Sequence, residues 1–232
     1  MASWQVFSRD IKLSHSVFAL PFMFCGVLLT DINSLGWLQF FYLLCCMFFA
    51  RSFAMGMNRY LDRHLDKKNP RTKNRAIPSG DLDSWRGLLY SLLAGGGFVL
   101  VAFQFNPLTG YLSVGLLLVL ALYSKMKCYV WTVHWYLGFC LGCAPVAAQI
   151  ALTEQVSLAV VVLGLGVCFW TAGFDILYSI QDLEFDRKNT LFSVPSVFGA
   201  EKAVDISRYC FVAMVSCLLL VGLIAQKGQV FY

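Results

Sequence analysis

Asn58-Arg59-Tyr60-Leu61-Asp62-Arg63-His64-Leu65-Asp66 closes a long apolar run and opens a loop dense with Lys and Arg. Asn58, Asp62 and Asp66 recur at i, i+4 and i+8, which on a helix sets an amide and two carboxylates on one face, about a turn apart. Carboxylates aligned this way, beside a membrane and among cations, point to a divalent-metal site rather than a packing surface. A second stretch of the same kind is Asp175-Ile176-Leu177-Tyr178-Ser179-Ile180-Gln181-Asp182-Leu183-Glu184-Phe185-Asp186. There Asp175, Asp182 and Asp186 stand at i, i+7 and i+11, again close to one helical face.

Between and around these stretches the chain reads as membrane. Of its 232 residues, 59% are hydrophobic and 13% charged, against about 25% charged in soluble domains. Spans are expected at 13–30, 36–57, 88–105, 108–124, 134–152, 157–177 and 204–225, each near the ~20 apolar residues that cross a bilayer. The expected fold is all-α, a polytopic bundle of about seven transmembrane helices forming one domain over residues 1–232. Pro21 and Pro145 fall inside spans and should kink them. The turns 30–35, 104–108 and 152–157 hold no Lys or Arg. The other connections carry Arg9 and Lys12, then Arg59 to Arg86, then Lys125 and Lys127, then Arg187, Lys188 and Lys202. Alternating seven spans puts all of these on one side, which the positive-inside rule makes cytoplasmic. The expected location is a bacterial inner membrane with both acidic stretches at the cytoplasmic face.

The net charge of +5 is concentrated in these loops, and no nucleic-acid-binding signature accompanies it. The nine Cys lie mostly in apolar runs, and the Cys140/Cys143 pair sits in an apolar helix with no second pair, so packing is the expected role. Gly95-Gly96-Gly97 follows no strand and reads as close helix packing. His15 and His134, near span starts, read as polar interface residues, and His64, off the face of the two Asp, as a surface or capping residue. Glu184 and Arg187 point away from the Asp182 face as loop charges. No cleavable signal is apparent.

Several converging carboxylates repel one another unless a cation lies between them. Mg²⁺ takes one or two protein carboxylates and completes its shell with water and phosphate oxygens. A diphosphate bridged by Mg²⁺ to the acidic helix ends fits, with Arg and Lys on the remaining oxygens. An amphiphile with a diphosphate head and a hydrocarbon tail suits both the charged loops and the Phe- and Leu-rich spans. Tyr178, one turn after Asp175, either donates to the diphosphate or belongs to the interfacial aromatic belt. The competing reading for one stretch alone is a solvated, paired surface; two such stretches, each after a span, weigh against it. The recurrence of span and acidic stretch is a weak architectural repeat that would let two helix ends share a cavity.

These residues resemble the UbiA superfamily of intramembrane aromatic prenyltransferases. The likeness rests on Asn58-xxx-Asp62-xxx-Asp66 and Asp175-xxYSxx-Asp182-xxx-Asp186, on Asn69 to Gly80, on Tyr123-Ser-Lys-Met-Lys127, and on Phe192 to Pro195 with Phe198-Gly199. Within the superfamily the chain looks closest to the 4-hydroxybenzoate polyprenyltransferases and the similar enzymes of the futalosine-type menaquinone route. The resemblance implies Mg²⁺-dependent transfer of a polyprenyl chain from polyprenyl diphosphate to an aromatic acid, within membrane lipid, for ubiquinone or menaquinone synthesis. It implies that Asn58, Asp62, Asp66 and Asp175 hold metal-bound diphosphate, with Asp182 and Asp186 close by. Arg63, Arg75, Lys125 and Lys127 are the implied phosphate contacts. Two features depart from the pattern. Seven spans are expected where the family has nine, as if the chain were short at its C-terminus. Cys128 stands where the family has an Arg, near a basic residue thought to meet the acceptor's carboxylate. The alternatives are a non-catalytic isoprenoid-binding member and a cation or proton transporter; the span centres, nearly free of charge, disfavour the transporter. Prenyl length and oligomeric state have no readable signature.

Overall fold

The structure, a computed structural model, describes residues 2–11, 20–30 and 35–230, with side chains as far as 225. Lys12, His15 and the first part of the span expected at 13–30 lie outside the described residues. Among those described there is no strand. The elements are α1 (Ser3–Asp10), α2 (Leu20–Leu28), α3 (Trp37–Lys68), α4 (Ala76–Ser79), α5 (Ser84–Ala102), α6 (Pro107–Met126), α7 (Val133–Thr153), α8 (Leu158–Ser179), α9 (Leu183–Lys188), α10 (Val194–Phe198) and α11 (Ala200–Val230). Six helices among the described residues are long and apolar enough to cross a membrane. They answer to the second through seventh expected spans, and α2 continues as helix the described part of the first. The all-helical membrane fold is as the composition required.

The chain divides into two compact units, Met1–Leu20 with Ser34–Ser124, and Pro21–Asn33 with Lys125–Tyr232. In the first, α3 packs on α5 through small residues. A side chain at Gly95 would meet Phe53, and one at Gly97 would meet Phe49, whereas Gly96 faces nothing within reach. The triple glycine is therefore a packing seam at two of its three positions. Gly56 lets Phe7 and Ser91 approach α3. Phe7 and Ile11 cluster with Ala76 and Leu82, which seats α1 against the loop after α3.

The second unit is held more closely. Gly138 of α7 lies against the carbonyl of Cys168, and Gly142 lies against that of Gly164 on α8. Backbones approach this near only where no Cβ intervenes, the usual device for helix association in lipid. Gly26 of α2 meets Pro145, where an added Cβ would stand 2.5 Å from the carbonyl oxygen. Ala172, Ile176, Val194, Ala203 and Cys210 form a buried cluster joining α8, α10 and α11. Cys140 is buried and Cys143 half-buried, both as free thiols, in keeping with packing. The turns use residues suited to them. Gly80 (φ 91°) and Gly199 (φ 85°) occupy the left-handed region, where a side chain is strained. Ser193 and Ser196 cap α10 reciprocally.

Candidate active site

The first acidic stretch lies on unbroken helix at the C-terminal third of α3, so the i, i+4, i+8 spacing holds. Asp62 and Asp66 are only 4% and 5% exposed, unlike surface charges. Asn58 Nδ2 donates to Asp62 Oδ2 at 3.0 Å and to Ser124 Oγ at 3.1 Å, and its Oδ1 accepts from Arg59 Nη1 at 3.4 Å. Asp66 Oδ2 receives Arg75 Nη1 at 2.7 Å. Its backbone oxygen receives the Thr72 hydroxyl at 3.1 Å. The loop is folded further by Asn69 Oδ1, which accepts the Arg71 N–H at 2.9 Å.

Two residues that sequence reasoning passed over complete this network. Arg59, counted there merely as a loop cation, is 5% exposed. Its Nε lies 3.3 Å from Asp10 Oδ2, and its Nη2 donates to the Asp10 carbonyl at 3.3 Å. Asp10 Oδ1 accepts the Ala76 N–H at 3.0 Å. Asp10 thus ties α1, α3 and the start of α4 together. It left no signal in the sequence, because its partner is 49 residues away. Arg59, Arg75, Asp10, Asp62 and Asp66 interact as one group. Asp62 and Asp66 are thus two buried carboxylates a helical turn apart on one face of α3.

Other predicted cations are placed differently. Arg63 turns back on its own helix: Nη1 donates to the Tyr60 carbonyl at 2.7 Å, and the guanidinium lies 4.4 Å from the Tyr60 ring centre. Lys125 is exposed, as is His64. Lys127 belongs to the second unit. Its carbonyl accepts the Phe192 N–H at 2.7 Å, and its ammonium acts on Asp186.

The second stretch is built otherwise. A helix uninterrupted from Asp175 to Asp186 is the expectation. Instead α8 ends at Ser179, a 3-10 turn occupies Ile180–Asp182, and α9 resumes at Leu183. Three residues of 3-10 turn, at three per turn, rotate the next helix by about 60° more than α-helix does. The face shared by Asp175 and the later pair is therefore widened but not lost, and the charges of Asp182 and Asp186 act on each other. Asp186 Oδ2 accepts the Ser193 hydroxyl at 3.0 Å. Asp175 Oδ2 lies 2.7 Å from His134 Nδ1. The Val194 N–H donates to His134 Nε2 at 3.1 Å, so Nε2 is the acceptor and the ring proton sits on Nδ1, donated to Asp175.

His134 is 2% exposed and spans from α7 to α8 and α10. It is a buried positioning residue rather than an interfacial one. The available signal was a lone polar ring in an apolar span, which must find a partner; the spacing did not say which. Glu184 is exposed as expected, but Arg187 is more than a loop charge, since its Nε donates to the Ser196 carbonyl at 3.1 Å. Tyr178 is half-exposed at the end of an aromatic column. It stacks on Phe174 (6.3 Å, 16°), Phe174 stacks on Trp170 (6.2 Å, 13°), and Phe22 leans on Trp170 at 5.2 Å.

Among the described residues no three His, Cys, Asp or Glu side chains converge as a ready-made metal cage. Each unit instead presents oxygen donors in small number, with carboxylate prevailing. That donor set fits Mg²⁺, which binds through one or two carboxylates and shares the rest of its shell with phosphate and water.

The sequence profile of the UbiA prenyltransferase family matches residues 19–232. The chain belongs to the UbiA prenyltransferase family. As such it is an integral membrane protein. A 4-hydroxybenzoate octaprenyltransferase of Marinobacter nauticus is 30% identical over 188 residues, covering 80% of this chain and 63% of the relative. Another, from Tolumonas auensis, is 29% identical over 238 residues, covering 100% of this chain and 82% of the relative. The chain thus spans somewhat under two thirds of the first relative's length. The apo UbiA homolog of Aeropyrum pernix K1 superposes with a TM-score of 0.84 at 26% identity, over 94% of this chain and 84% of that one. A UbiA homolog of Archaeoglobus fulgidus bound to GPP and Mg²⁺ shares the fold, with a TM-score of 0.78 at 19% identity over 94% and 78% of the two chains.

Proposed function

We propose that this UbiA-family chain transfers a polyprenyl group from polyprenyl diphosphate to an aromatic acid of the 4-hydroxybenzoate type, with Mg²⁺, in ubiquinone or menaquinone synthesis. The observation that carries the proposal is the buried charge group around Asp62 and Asp66. Two carboxylates a helical turn apart and held out of water suit a divalent cation shared with phosphate oxygens. The curated relatives, named for 4-hydroxybenzoate, support the acceptor class. Asp62 and Asp66 hold the metal in the first unit, and Asn58 orients Asp62 through its amide. Asp175, Asp182 and Asp186 do the same work in the second. Bound Mg²⁺ neutralises the charge that develops on the leaving diphosphate. Arg75, already on Asp66, and Lys127, beside Asp186, are placed for phosphate oxygens. Arg63 and Lys125 reach them only by leaving their present positions. Tyr178 offers a hydroxyl next to Asp175.

In the reaction the bond from the allylic carbon to the diphosphate oxygen breaks and its electron pair leaves with diphosphate. A ring carbon of the acceptor forms the new bond, and that carbon's proton leaves to restore aromaticity. The spans supply an apolar surround for the tail in membrane lipid. The basic loops are assigned to the cytoplasmic side of a bacterial inner membrane. Membranes carrying the chain, given labelled polyprenyl diphosphate, Mg²⁺ and 4-hydroxybenzoate, are expected to yield a labelled lipid product that Asp62→Asn abolishes. Tight Mg²⁺-dependent binding of the diphosphate with no product from any aromatic acid sinks the proposal in favour of a binding-only member.

A further inference from the structure

Arg59 follows Asn58 and stands three residues before Asp62 and seven before Asp66. Positions i, i+3 and i+7 are neighbours on one side of a helix, so its guanidinium starts on the side of both carboxylates. At 5% exposure it is nearly out of water, and an arginine so placed must take its counter-charge from the protein. Among the described residues it makes no ion pair with Asp62 or Asp66, although the charges of both act on it. It turns instead to α1. There its Nε lies 3.3 Å from Asp10 Oδ2, and its Nη2 donates to the Asp10 carbonyl at 3.3 Å.

Asp10 is built to hold it there. The Asp10 side chain is 10% exposed, and its Oδ1 is fixed by the Ala76 N–H at 3.0 Å. Phe7 and Ile11, in the same turn, are buried with Ala76 and Leu82. The hold is electrostatic more than directional, because Arg59 Nε has no aligned hydrogen-bond acceptor despite the 3.3 Å contact. Removing the charge of Asp10 therefore releases a buried guanidinium whose other anionic partners are Asp66 and Asp62. On those carboxylates it would compete with Mg²⁺ for the same oxygens. Arg75 differs. Its side chain is 23% exposed where it meets Asp66, against 7% for Arg59, so it has an outer side to turn to when a cation and phosphate arrive. We propose that Asp10 is a positioning residue for the metal site: it draws Arg59 to α1 and keeps that guanidinium off Asp62 and Asp66. This rests on the prenyltransferase reading and adds to it a residue, outside both acidic stretches, that sets metal affinity.

The test titrates Mn²⁺, standing in for Mg²⁺, into the solubilised full chain with pyrophosphate and reads free Mn²⁺ by electron paramagnetic resonance. Melting temperature and turnover in membranes are measured beside it. Asp10→Asn keeps an acceptor for the Ala76 N–H but releases Arg59, and Mn²⁺ affinity should fall about 10- to 100-fold. Half-saturating Mg²⁺ for turnover should rise to match, with the rate at saturating Mg²⁺ kept within about twofold. Arg59→Met removes the competing cation and should bind Mn²⁺ within about threefold of the wild type even though it melts lower. Asp10→Asn with Arg59→Met should recover the same affinity. If Asp10 serves folding alone, affinity follows melting temperature across the series, or the double variant binds as weakly as Asp10→Asn; either result overturns the proposal. So does wild-type affinity in Asp10→Asn. Weakened Mn²⁺ binding in Arg59→Met overturns it by itself, even where Asp10→Asn fails to insert. The expected affinities without product from the wild type leave the role of Asp10 standing and remove the prenyltransferase reading. Product formation with unaltered metal affinity in Asp10→Asn does the reverse.

Discussion

The two acidic stretches hold their carboxylates differently, buried on α3 and half-buried after α8. Around the unbroken α3, guanidinium groups hold two carboxylates: Arg75 holds Asp66 of α3, and Arg59 holds Asp10 of α1. After α8 the hydrogen bonds come from neutral donors, His134 on Asp175 and Ser193 on Asp186, with the Lys127 ammonium acting on Asp186 as well, across a helix interrupted by a 3-10 turn. A cationic partner lowers a carboxylate's charge toward balance; a neutral donor leaves it in full. Family resemblance makes the stretches look alike, yet their stability should respond differently to loss of a partner, and that difference is measurable.

The largest expected effect is on turnover. Asp62→Asn keeps a hydrogen-bond acceptor for Asn58 but removes one of the buried charges proposed to hold the metal. Transfer should fall at least about 1,000-fold, as when an electrostatic contact to developing charge is lost, with insertion unimpaired. Asp175→Asn, which still accepts from His134, should act the same way. Retained activity in Asp62→Asn but not in Asp175→Asn would assign the metal chemistry to the second stretch alone.

Next in size is the cost of orphaning a buried charge. Arg59→Met leaves Asp10 without its cation and should destabilise the chain by about 3–5 kcal/mol, read as a lower melting temperature in detergent. Adding Asp10→Asn, which still accepts the Ala76 N–H, should recover most of that, because removing a whole buried pair is often nearly neutral. If the double variant is no more stable than Arg59→Met, the contact contributes through shape and not charge. The neutral arrangement should be cheaper to break. His134→Leu removes two hydrogen bonds to groups that stay buried, for about 1–3 kcal/mol each. His134→Gln, with one donor for Asp175 and one acceptor for Val194, should keep most of the stability and the Mg²⁺-dependent diphosphate affinity. A ¹⁵N spectrum showing the proton on Nε2 of His134 would contradict the arrangement.

The same division separates the residues that were legible in the sequence from those that were not. Asn58, Asp62 and Asp66 were legible because α3 is continuous, so the period of the helix survives from residue to structure. The relation of Asp175 to Asp182 and Asp186 was legible less closely, because three residues of 3-10 turn shift the phase and nothing in Ile180-Gln181-Asp182 announces them. Asp10 and His134 were invisible as site residues for a further reason. Each acts on a partner 49 or 41 residues away, and no local period encodes that distance. The membrane fold itself was the most legible feature, since length and apolarity alone decide which helices can span.

The smallest effect tests whether the aromatic column on α8 belongs to the chemistry. Tyr178 stacks on Phe174, and phenylalanine keeps that stack while removing the hydroxyl. If the hydroxyl donates to diphosphate, Tyr178→Phe loses one hydrogen bond to an anion, and half-saturation by polyprenyl diphosphate should rise about 10-fold with kcat nearly kept. Tyr178→Leu then adds the loss of stacking, about 0.5–1.5 kcal/mol, which appears in the melting temperature and not in the substrate titration. If Tyr178→Phe titrates like the wild type while Tyr178→Leu melts lower, the tyrosine serves the helix surface alone. The second stretch would then bind diphosphate through Asp175, Asp182, Asp186 and Lys127 without aromatic help, which is the arrangement closer to that around Asp62.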